Sequence, residues 1–358
     1  MIKLIFLGLP AAFFWLITTI RNSLYDKGIL KRVYFEFPVI GIGNLSFGGT
    51  GKTPMVAFLL QHLLPRFSVA VLSRGYGRKT KGFLNVEPSF QAWQTGDEPL
   101  WLKKKFPSAP VCVCEDRVVG VPLLLDAYPE TNVILLDDAF QHRAIKPGLM
   151  LLLTEYDNLF TRDSIFPLGW LRESKKNYHR ADIIVITKSP ANLTKASAEK
   201  IISEIKPFRY QKIYFSTLVY EDLLEINNTH FKEDFKNVIL LTGIANPLPL
   251  KQYFEQKGKN VFELRFEDHH HYSEANLERL EEMKSHLPEQ TIIVTTEKDA
   301  VKLEIYKEWF SQNGFRIYVQ PVSHAFLFDH EKLFLEDITS FISKTLEKST
   351  HGASFREN

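Results

Sequence analysis

Residues 41–54 read Gly-Ile-Gly-Asn-Leu-Ser-Phe-Gly-Gly-Thr-Gly-Lys-Thr-Pro. The core of this run, Gly48-Gly49-Thr50-Gly51-Lys52-Thr53, follows the apolar stretch Val39-Ile40-Gly41-Ile42 and leads into the apolar helical pattern of residues 55–64. A strand, a glycine turn and a helix in that order form a cradle for the phosphates of a nucleoside triphosphate. Backbone N–H groups and the helix N-terminus face the anion, Lys52 reaches the terminal phosphates, and Thr53 supplies a hydroxyl for Mg²⁺. Glycine lets the backbone close on the phosphates, and Pro54 suits a first helical turn, where an N–H would lack a partner. The generic pattern G-x-x-x-x-G-K-[ST] begins with glycine at a position that is Ser46 here. A plain glycine turn is the simpler alternative, and the strand and helix flanks argue against it.

The length of 358 residues and an apolar content of 45% suit two domains with real cores. A net charge of +2 gives no global signal for nucleic acid. Basic residues cluster locally at Arg74, Arg78, Lys79 and Lys81, at residues 103–105, and at Arg172, Lys175, Lys176 and Arg180. Such clusters are solvated faces or contacts for phosphates and anionic headgroups. The cysteines, Cys112 and Cys114, alternate within an apolar run, which reads as a strand with both thiols on one face. They have no second ligand pair for a metal, and the chain reads as cytosolic.

Residues 4–20 carry no charge, with Lys3 before them and Arg21, Lys27, Lys31 and Arg32 after. Seventeen residues is the lower limit for a membrane span, and Gly8 and Pro10 weaken a straight helix. A helix buried in the first domain is one reading. The favoured one is a membrane-surface anchor with its flanking cations at headgroup level. A secretory signal fits poorly, because an ATP-binding loop belongs in the cytoplasm.

Apolar, β-branched runs at 39–43, 68–72, 133–136, 149–153 and 183–187 alternate with helical stretches. The pattern predicts an α/β, P-loop NTPase-like fold with a mostly parallel sheet and helices on both faces. After a strand over 210–220 comes the polar stretch 221–236, and a second βα series follows with strands at 238–241, 261–264, 292–295 and 316–319. The expected division is an apolar N-terminal membrane-associating helix (1–25), a P-loop kinase domain (26–220), a smaller second α/β domain (221–347) and a disordered tail (348–358).

The strand at 133–136 ends in Asp137-Asp138, and a strand-end Asp near a phosphate cradle holds Mg²⁺ directly or through water. Acids also start turns, so the pair gains weight only from the glycine loop about 85 residues earlier. Gly96-Asp97-Glu98-Pro99 reads as a helix N-terminus whose capping carboxylate can still face a site. Glu267-Asp268-His269-His270-His271-Tyr272 brings three histidines together, but consecutive residues do not readily converge on one metal ion. One of them paired with an Asp would make a general base. Ser73-Arg74-Gly75-Tyr76-Gly77-Arg78 ends a strand, where α/β proteins place ligands. Glu115-Asp116-Arg117, residues 168–173 and Thr295-Thr296-Glu297-Lys298-Asp299 each read equally well as surface loops.

Taken together, GNLSFGGTGKTP, SRGYGR, GDEP, DDAFQH, PLGWLRE, TGIANP, the DHH-x-Y cluster and TTEKDAVKL occur in order from residue 41 to 303. The set closely resembles the tetraacyldisaccharide 4′-kinases of lipid A biosynthesis over nearly the whole chain, and that family also has Ser or Thr at the position of Ser46. The resemblance implies transfer of the ATP γ-phosphoryl to the 4′-hydroxyl of a tetraacylated glucosamine disaccharide 1-phosphate. It places the chain at the cytoplasmic face of the bacterial inner membrane, peripheral or monotopic. It implies Asp97 as the base and His269 as its partner, with His270 and His271 as neighbouring candidates. Lys52 and the amides of Gly48, Gly49, Thr50, Gly51, Lys52 and Thr53 would hold ATP. Thr53, Asp137 and Asp138 would bind Mg²⁺, with Glu98 and Gln141 nearby. Arg74, Tyr76, Arg117, Arg172 and Glu173 would line the site and meet the lipid disaccharide. The expected partners are that lipid and the membrane surface, with no nucleic acid, and the expected state is a monomer.

The rival reading is a membrane-associated P-loop ATPase acting as a switch or partitioning factor. It would share the loop, Asp137 and the anchor, but would have no use for GDEP and a His cluster meeting across a cleft. A GTPase would show Asn-Lys-x-Asp after a strand, and Thr187-Lys188-Ser189-Pro190 lacks both the Asn and the Asp.

Overall fold

The computed structural model describes residues 2–226, 235–288 and 290–353. The N-terminal run forms helix α1 (Ile2–Asp26), which continues through Pro10. Then follow β1 (Val33–Tyr34), β2 (Val39–Asn44), α2 (Lys52–Leu63), β3 (Val69–Ser73), β4 (Leu84–Asn85), α3 (Ala92–Thr95), α4 (Asp97–Lys105), β5 (Val111–Val113), α5 (Arg117–Ala127), β6 (Val133–Leu136), β7 (Ile145–Lys146), β8 (Leu149–Glu155), β9 (Ile183–Thr187), α6 (Lys195–Ile205) and β10 (Lys212–Tyr220). The second half contributes β11 (Leu224–Glu225), β12 (Asn237–Thr242), α7 (Leu248–Gln256), β13 (Asn260–Arg265), α8 (Glu274–Ser285), β14 (Thr291–Thr296), α9 (Glu297–Leu303), α10 (Lys307–Gln312), β15 (Ile317–Gln320), β16 (Val322–Phe326) and α11 (Glu331–Ala353).

Nine strands form the large sheet in the order β16-β10-β9-β8-β2-β6-β3-β5-β4. Every pairing in it is parallel except the two edges, where β16 and β4 run antiparallel to their neighbours. The central strands β2, β3 and β6 are buried along their whole length, as a sheet covered on both faces requires. β2 sits at the middle, so the loop that follows it opens above the centre of the sheet's carboxyl edge, where α/β folds bind ligands. Five strands form the smaller sheet, β11-β15-β14-β12-β13, parallel apart from β11.

The chain departs from a single boundary at 220. β15 passes through Pro321 straight into β16, which pairs back on β10 from Ser216↔Phe326 to Tyr220↔Val322. Phe326 of β16 and Phe334, Ile338 and Ile342 of α11 are buried in one cluster with Met55, Phe58 and Leu59 of α2. The expected second domain of 221–347 is therefore corrected, because β16 and α11 belong to the large core. This packing explains why α2 is apolar nearly all round: it is covered by the sheet and also by the returning C-terminal segment. The expected tail is corrected as well, since α11 runs to Ala353; residues 354–358 lie outside the described residues.

Candidate active site

The glycine loop joins β2 to α2 through two left-handed turns, Gly48 (φ 110°) and Gly51 (φ 85°). Both φ values are strained for any side chain, and at Gly51 a Cβ would also stand 3.2 Å from the His324 ring. The loop is braced from several sides. Asn44 Nδ2 donates to Thr50 Oγ1 at 3.0 Å, and Thr187 Oγ1 at the end of β9 donates to the Thr50 carbonyl at 2.9 Å. His324 Nε2 lies 3.1 Å from the Gly51 carbonyl, and its Nδ1 lies 3.0 Å from Ser216 Oγ. Burial pulls the His324 pKa down to about 4, so the ring is neutral; Nε2 donates to Gly51 and Nδ1 accepts from the serine. The amides of the first helical turn have no partner within the helix and remain for an anion.

Beside this loop, β6 delivers Asp137 and Asp138. Lys52 Nζ stands 3.5 Å from Asp138 Oδ1, and Arg172 Nη1 holds both Asp138 oxygens at 3.0 and 3.1 Å. Asp138 occupies a left-handed conformation (φ 47°), which the short polar side chain tolerates. Burial works against its charge, but Lys52 and Arg172 outweigh it and hold the carboxyl below its ordinary pKa. Asp137 behaves oppositely. Burial, together with the charges of Glu98 and Asp138, pushes its pKa up to about 7. Its Oδ2 accepts from Ser73 Oγ at 3.2 Å, while its buried Oδ1 has no hydrogen-bond partner.

A divalent cation would remove that conflict, by pairing the orphaned oxygen and offsetting three clustered carboxylates. Among the described residues no group of three or more His, Cys, Asp or Glu is arranged to hold a metal alone. Mg²⁺ suits such a site, since it takes one or two carboxylates and completes its shell with water and phosphate oxygens. The residues present fit Mg²⁺ carried by a nucleotide, and Asp137, Asp138 and Thr53 are the residues that would hold it.

The second half of the site spans the two sheets. Asp97 opens α4 in the first turn, where a carboxylate is favoured, and its Oδ1 accepts from the Glu98 amide at 2.9 Å. Its Oδ2 meets Nδ1 of His269 at 3.0 Å. Of the three adjacent histidines it is His269 that faces Asp97. Its backbone turns left-handed (φ 59°), while His270 stacks on Phe266 and bonds Asn276 through Nε2 at 2.9 Å. Burial alone would raise the Asp97 pKa; the His269 hydrogen bond and the Lys298 and Lys302 charges reverse this and hold it low. Burial would likewise lower His269, but the bond and charge of Asp97 lift it above the ordinary histidine value. Tyr76 covers the pair, with its ring centroid 5.0 Å from that of His269, and Gly77, Ala92, Gly96, His271 and Lys302 complete the cleft wall.

The five residues expected to meet substrate separate into two groups. Arg74 and Tyr76 are exposed after β3, and Arg172 lies at the phosphate half between Asp138 and the Phe47 ring. Arg117 and Glu173 are each 2% exposed and do not line the cleft. Arg117 donates to the Asp137 carbonyl at 3.0 Å, which sets the backbone of the acid pair. Glu173 accepts from Asn22, Gln141, Asn177 and Arg180, tying α1 to the loop behind the phosphate site. The family resemblance implied both in the cleft; the chain folds their charges inward, Arg117 onto a backbone carbonyl and Glu173 onto side-chain donors. Sequence reasoning also missed His324 and Lys302, and it left the TTEKDAVKL run without a role. Cations two and six residues past a strand end, Lys298 and Lys302, give no signal until the second sheet is placed.

The family model for LpxK, tetraacyldisaccharide-1-P 4′-kinase, matches residues 4–342. A tetraacyldisaccharide 4′-kinase of Flavobacterium johnsoniae is 40% identical over 342 residues, covering 94% of this chain and 96% of its own. One from Phocaeicola vulgatus is 38% identical over 339 residues, covering 92% and 93%. The crystal structure of LpxK from Aquifex aeolicus in complex with ATP is similar at a TM-score of 0.72 and 30% identity, covering 93% of this chain and 98% of that one. The two-sheet architecture, the phosphate loop and the chain-long match agree: the chain belongs to the tetraacyldisaccharide 4′-kinase family.

Proposed function

We propose that the chain moves the ATP γ-phosphoryl to the 4′-hydroxyl of a tetraacylated glucosamine disaccharide 1-phosphate, with Asp97 as the base. One observation carries this reading. A buried, ionised carboxylate bonded to a histidine of the other sheet is the sequence neighbour of Glu98, whose charge acts on Asp137 at the phosphate loop. Ser73 at the end of β3 donates to Asp137, and Tyr76 three residues on lies against His269, so one loop borders both the acid pair and the base.

In the reaction the sugar oxygen forms a bond to the γ-phosphorus as the bond to the β–γ bridging oxygen breaks, and ADP leaves with that electron pair. The hydroxyl proton passes to the Asp97 carboxylate. His269, whose Nδ1 lies 3.0 Å from Asp97 Oδ2, donates to that carboxylate and steadies its charge, and the proton leaves Asp97 for solvent. Lys52 and the loop amides hold the β- and γ-phosphates, and Arg172 keeps Asp138 oriented toward them. Asp137, Asp138 and Thr53 would hold Mg²⁺, which would supply neutralisation of phosphate charge. Catalysis of this kind rests on positioning and charge more than on covalent chemistry. The test is to incubate the protein with Mg-ATP and detergent-dispersed tetraacyl disaccharide 1-phosphate and look by mass spectrometry for the bisphosphate. Its absence, with ATP consumed, favours the ATPase switch.

The lipid acceptor gives the exposed face of α1 a purpose. Leu9, Phe13, Leu16, Ile17 and Ile20 are each at least 46% exposed and recur at helical spacing on one side. Phe14 meets Phe166 edge-on at 5.9 Å, and Phe166 meets Phe47 of the glycine loop at 5.4 Å, so apolar surface runs from the helix to the phosphate site. Among the described residues no helix is long and apolar enough to cross a membrane. A helix lying in the bilayer interface satisfies both facts. Phe13→Glu with Ile17→Glu is expected to weaken binding to phosphatidylethanolamine–phosphatidylglycerol vesicles by at least about tenfold, since each buried apolar side chain contributes about 1.5–3 kcal/mol. Unchanged co-sedimentation would rule out this face as the contact.

A further inference from the structure

Helix α9 begins where β14 ends, with Thr296 capping it through the Asp299 amide at 3.1 Å. It is pinned to α4 of the large domain at both ends: Glu297 in its first turn accepts from Lys105 Nζ at 2.7 Å, and Lys104 pairs with Glu304 just past its last residue. That docking carries Lys298 into the cleft. Its Nζ stands 3.1 Å from His269 Nε2, 3.1 Å from Asp268 Oδ1, 3.7 Å from Glu98 Oε1 and 3.9 Å from Asp97 Oδ2.

An ammonium can only donate, so the ring nitrogen facing it must accept. His269 Nε2 therefore carries the lone pair and Nδ1 carries the hydrogen, which is directed at Asp97 Oδ2. A second cation on α9, Lys302, lies 3.9 Å from the same Asp97 oxygen. It is already paired with Asp299 Oδ1 at 2.7 Å, and Asp299 in turn accepts from the Gly243 amide and the Thr296 hydroxyl. Lys298 is the α9 cation whose partners are His269 and Asp97 and their acidic neighbours Asp268 and Glu98.

We propose that Lys298 is a positioning residue for the phosphoryl transfer: it fixes the Nδ1–H tautomer of His269 and keeps Asp97 ionised from the opposite side of the cleft. The inference rests on Asp97 acting as the base. It gives the TTEKDAVKL run its role, and it makes a poised base depend on the small domain being docked on α4. The groups facing Asp97 and His269 are Lys298 and Lys302 from α9, Asp268 beside His269, Glu98 beside Asp97, Tyr76 after β3 and His271. Lys298 lowers the pKa of both Asp97 and His269, so its loss raises both.

The test is the pH dependence of kcat in Lys298→Met and Lys298→Arg, with KM for ATP measured alongside. For Lys298→Met, kcat at neutral pH falls about tenfold, KM for ATP changes less than about twofold, and the acid limb moves up by about one pH unit. Lys298→Arg, which keeps the charge, returns the limb toward the wild-type position. A Lys298→Met profile whose limb coincides with wild type overturns the proposal, even with kcat lowered. A measurement on the unaltered protein covers the case of a variant that does not fold. In ¹⁵N-histidine spectra recorded in alkaline buffer, above the raised His269 pKa, His269 should show a protonated Nδ1 and a bare Nε2; the reverse tautomer overturns the proposal. If Asp97→Asn keeps full activity the base assignment itself is wrong, whereas an inactive Asp97→Asn beside a wild-type Lys298→Met profile removes only the role of Lys298.

Discussion

Asp97→Asn is expected to lower kcat for phosphoryl transfer on the order of 10²- to 10⁴-fold, the range associated with removing a positioned proton acceptor. The amide matches the carboxylate in shape but cannot take the hydroxyl proton at neutral pH. The nucleotide Kd should change by no more than about twofold, because the partners of Asp97 are the Glu98 amide, His269, Lys298 and Lys302, none of them in the glycine loop. The substitution also removes the counter-charge of Lys298 and Lys302, so a melting curve should accompany the kinetics. Wild-type turnover by a folded Asp97→Asn protein would show that proton removal occurs elsewhere.

Lys52→Met should reduce kcat by about 10²- to 10³-fold, as loss of one preorganised donor to developing charge does, and it should weaken ATP binding as well. Its consequences extend past the missing contact. Lys52 lowers the pKa of both Asp138 and Asp137, so removing it drives the already raised Asp137 further toward its neutral form. The variant should therefore need more Mg²⁺ for half-maximal nucleotide binding, which a fluorescent nucleotide titration at several Mg²⁺ concentrations would read. An unchanged Mg²⁺ requirement would separate Lys52 from the acid pair.

The parts of this site legible in the sequence were those built from local geometry. The glycine run had to be a turn between strand and helix, and the alternating apolar runs had to be a parallel sheet, because period and turn chemistry act over a few residues. Asp137-Asp138 was legible as a strand-end pair, although nothing local distinguished the two; only burial and the reach of Lys52 and Arg172 make one a raised acid and the other a depressed one. The contact of Asp97 with His269 spans 172 positions in sequence, and no periodicity encodes it. The resemblance to a family suggested that pair, and the second sheet brings it together. The return of β16 and α11 to the large sheet was hidden for a similar reason. The β15–β16 segment is interrupted by a single proline, so a change of sheet looks like a bend in one strand. Arg117 and Glu173 were expected as substrate contacts on the family resemblance, whereas their bonds run to buried partners at Asp137, Asn22 and Arg180.

The central claim is that the cleft delivers phosphate to a sugar hydroxyl and does not release it to water. The most direct measurement is the stoichiometry of ADP formed to lipid phosphorylated, with and without tetraacyl disaccharide 1-phosphate in mixed micelles at saturating Mg-ATP. The account predicts one lipid 4′-phosphate for each ADP, and a large drop in ADP formation when the acceptor is omitted. ADP formed at the same rate without the lipid, and no phosphate found on the sugar when it is present, would contradict it.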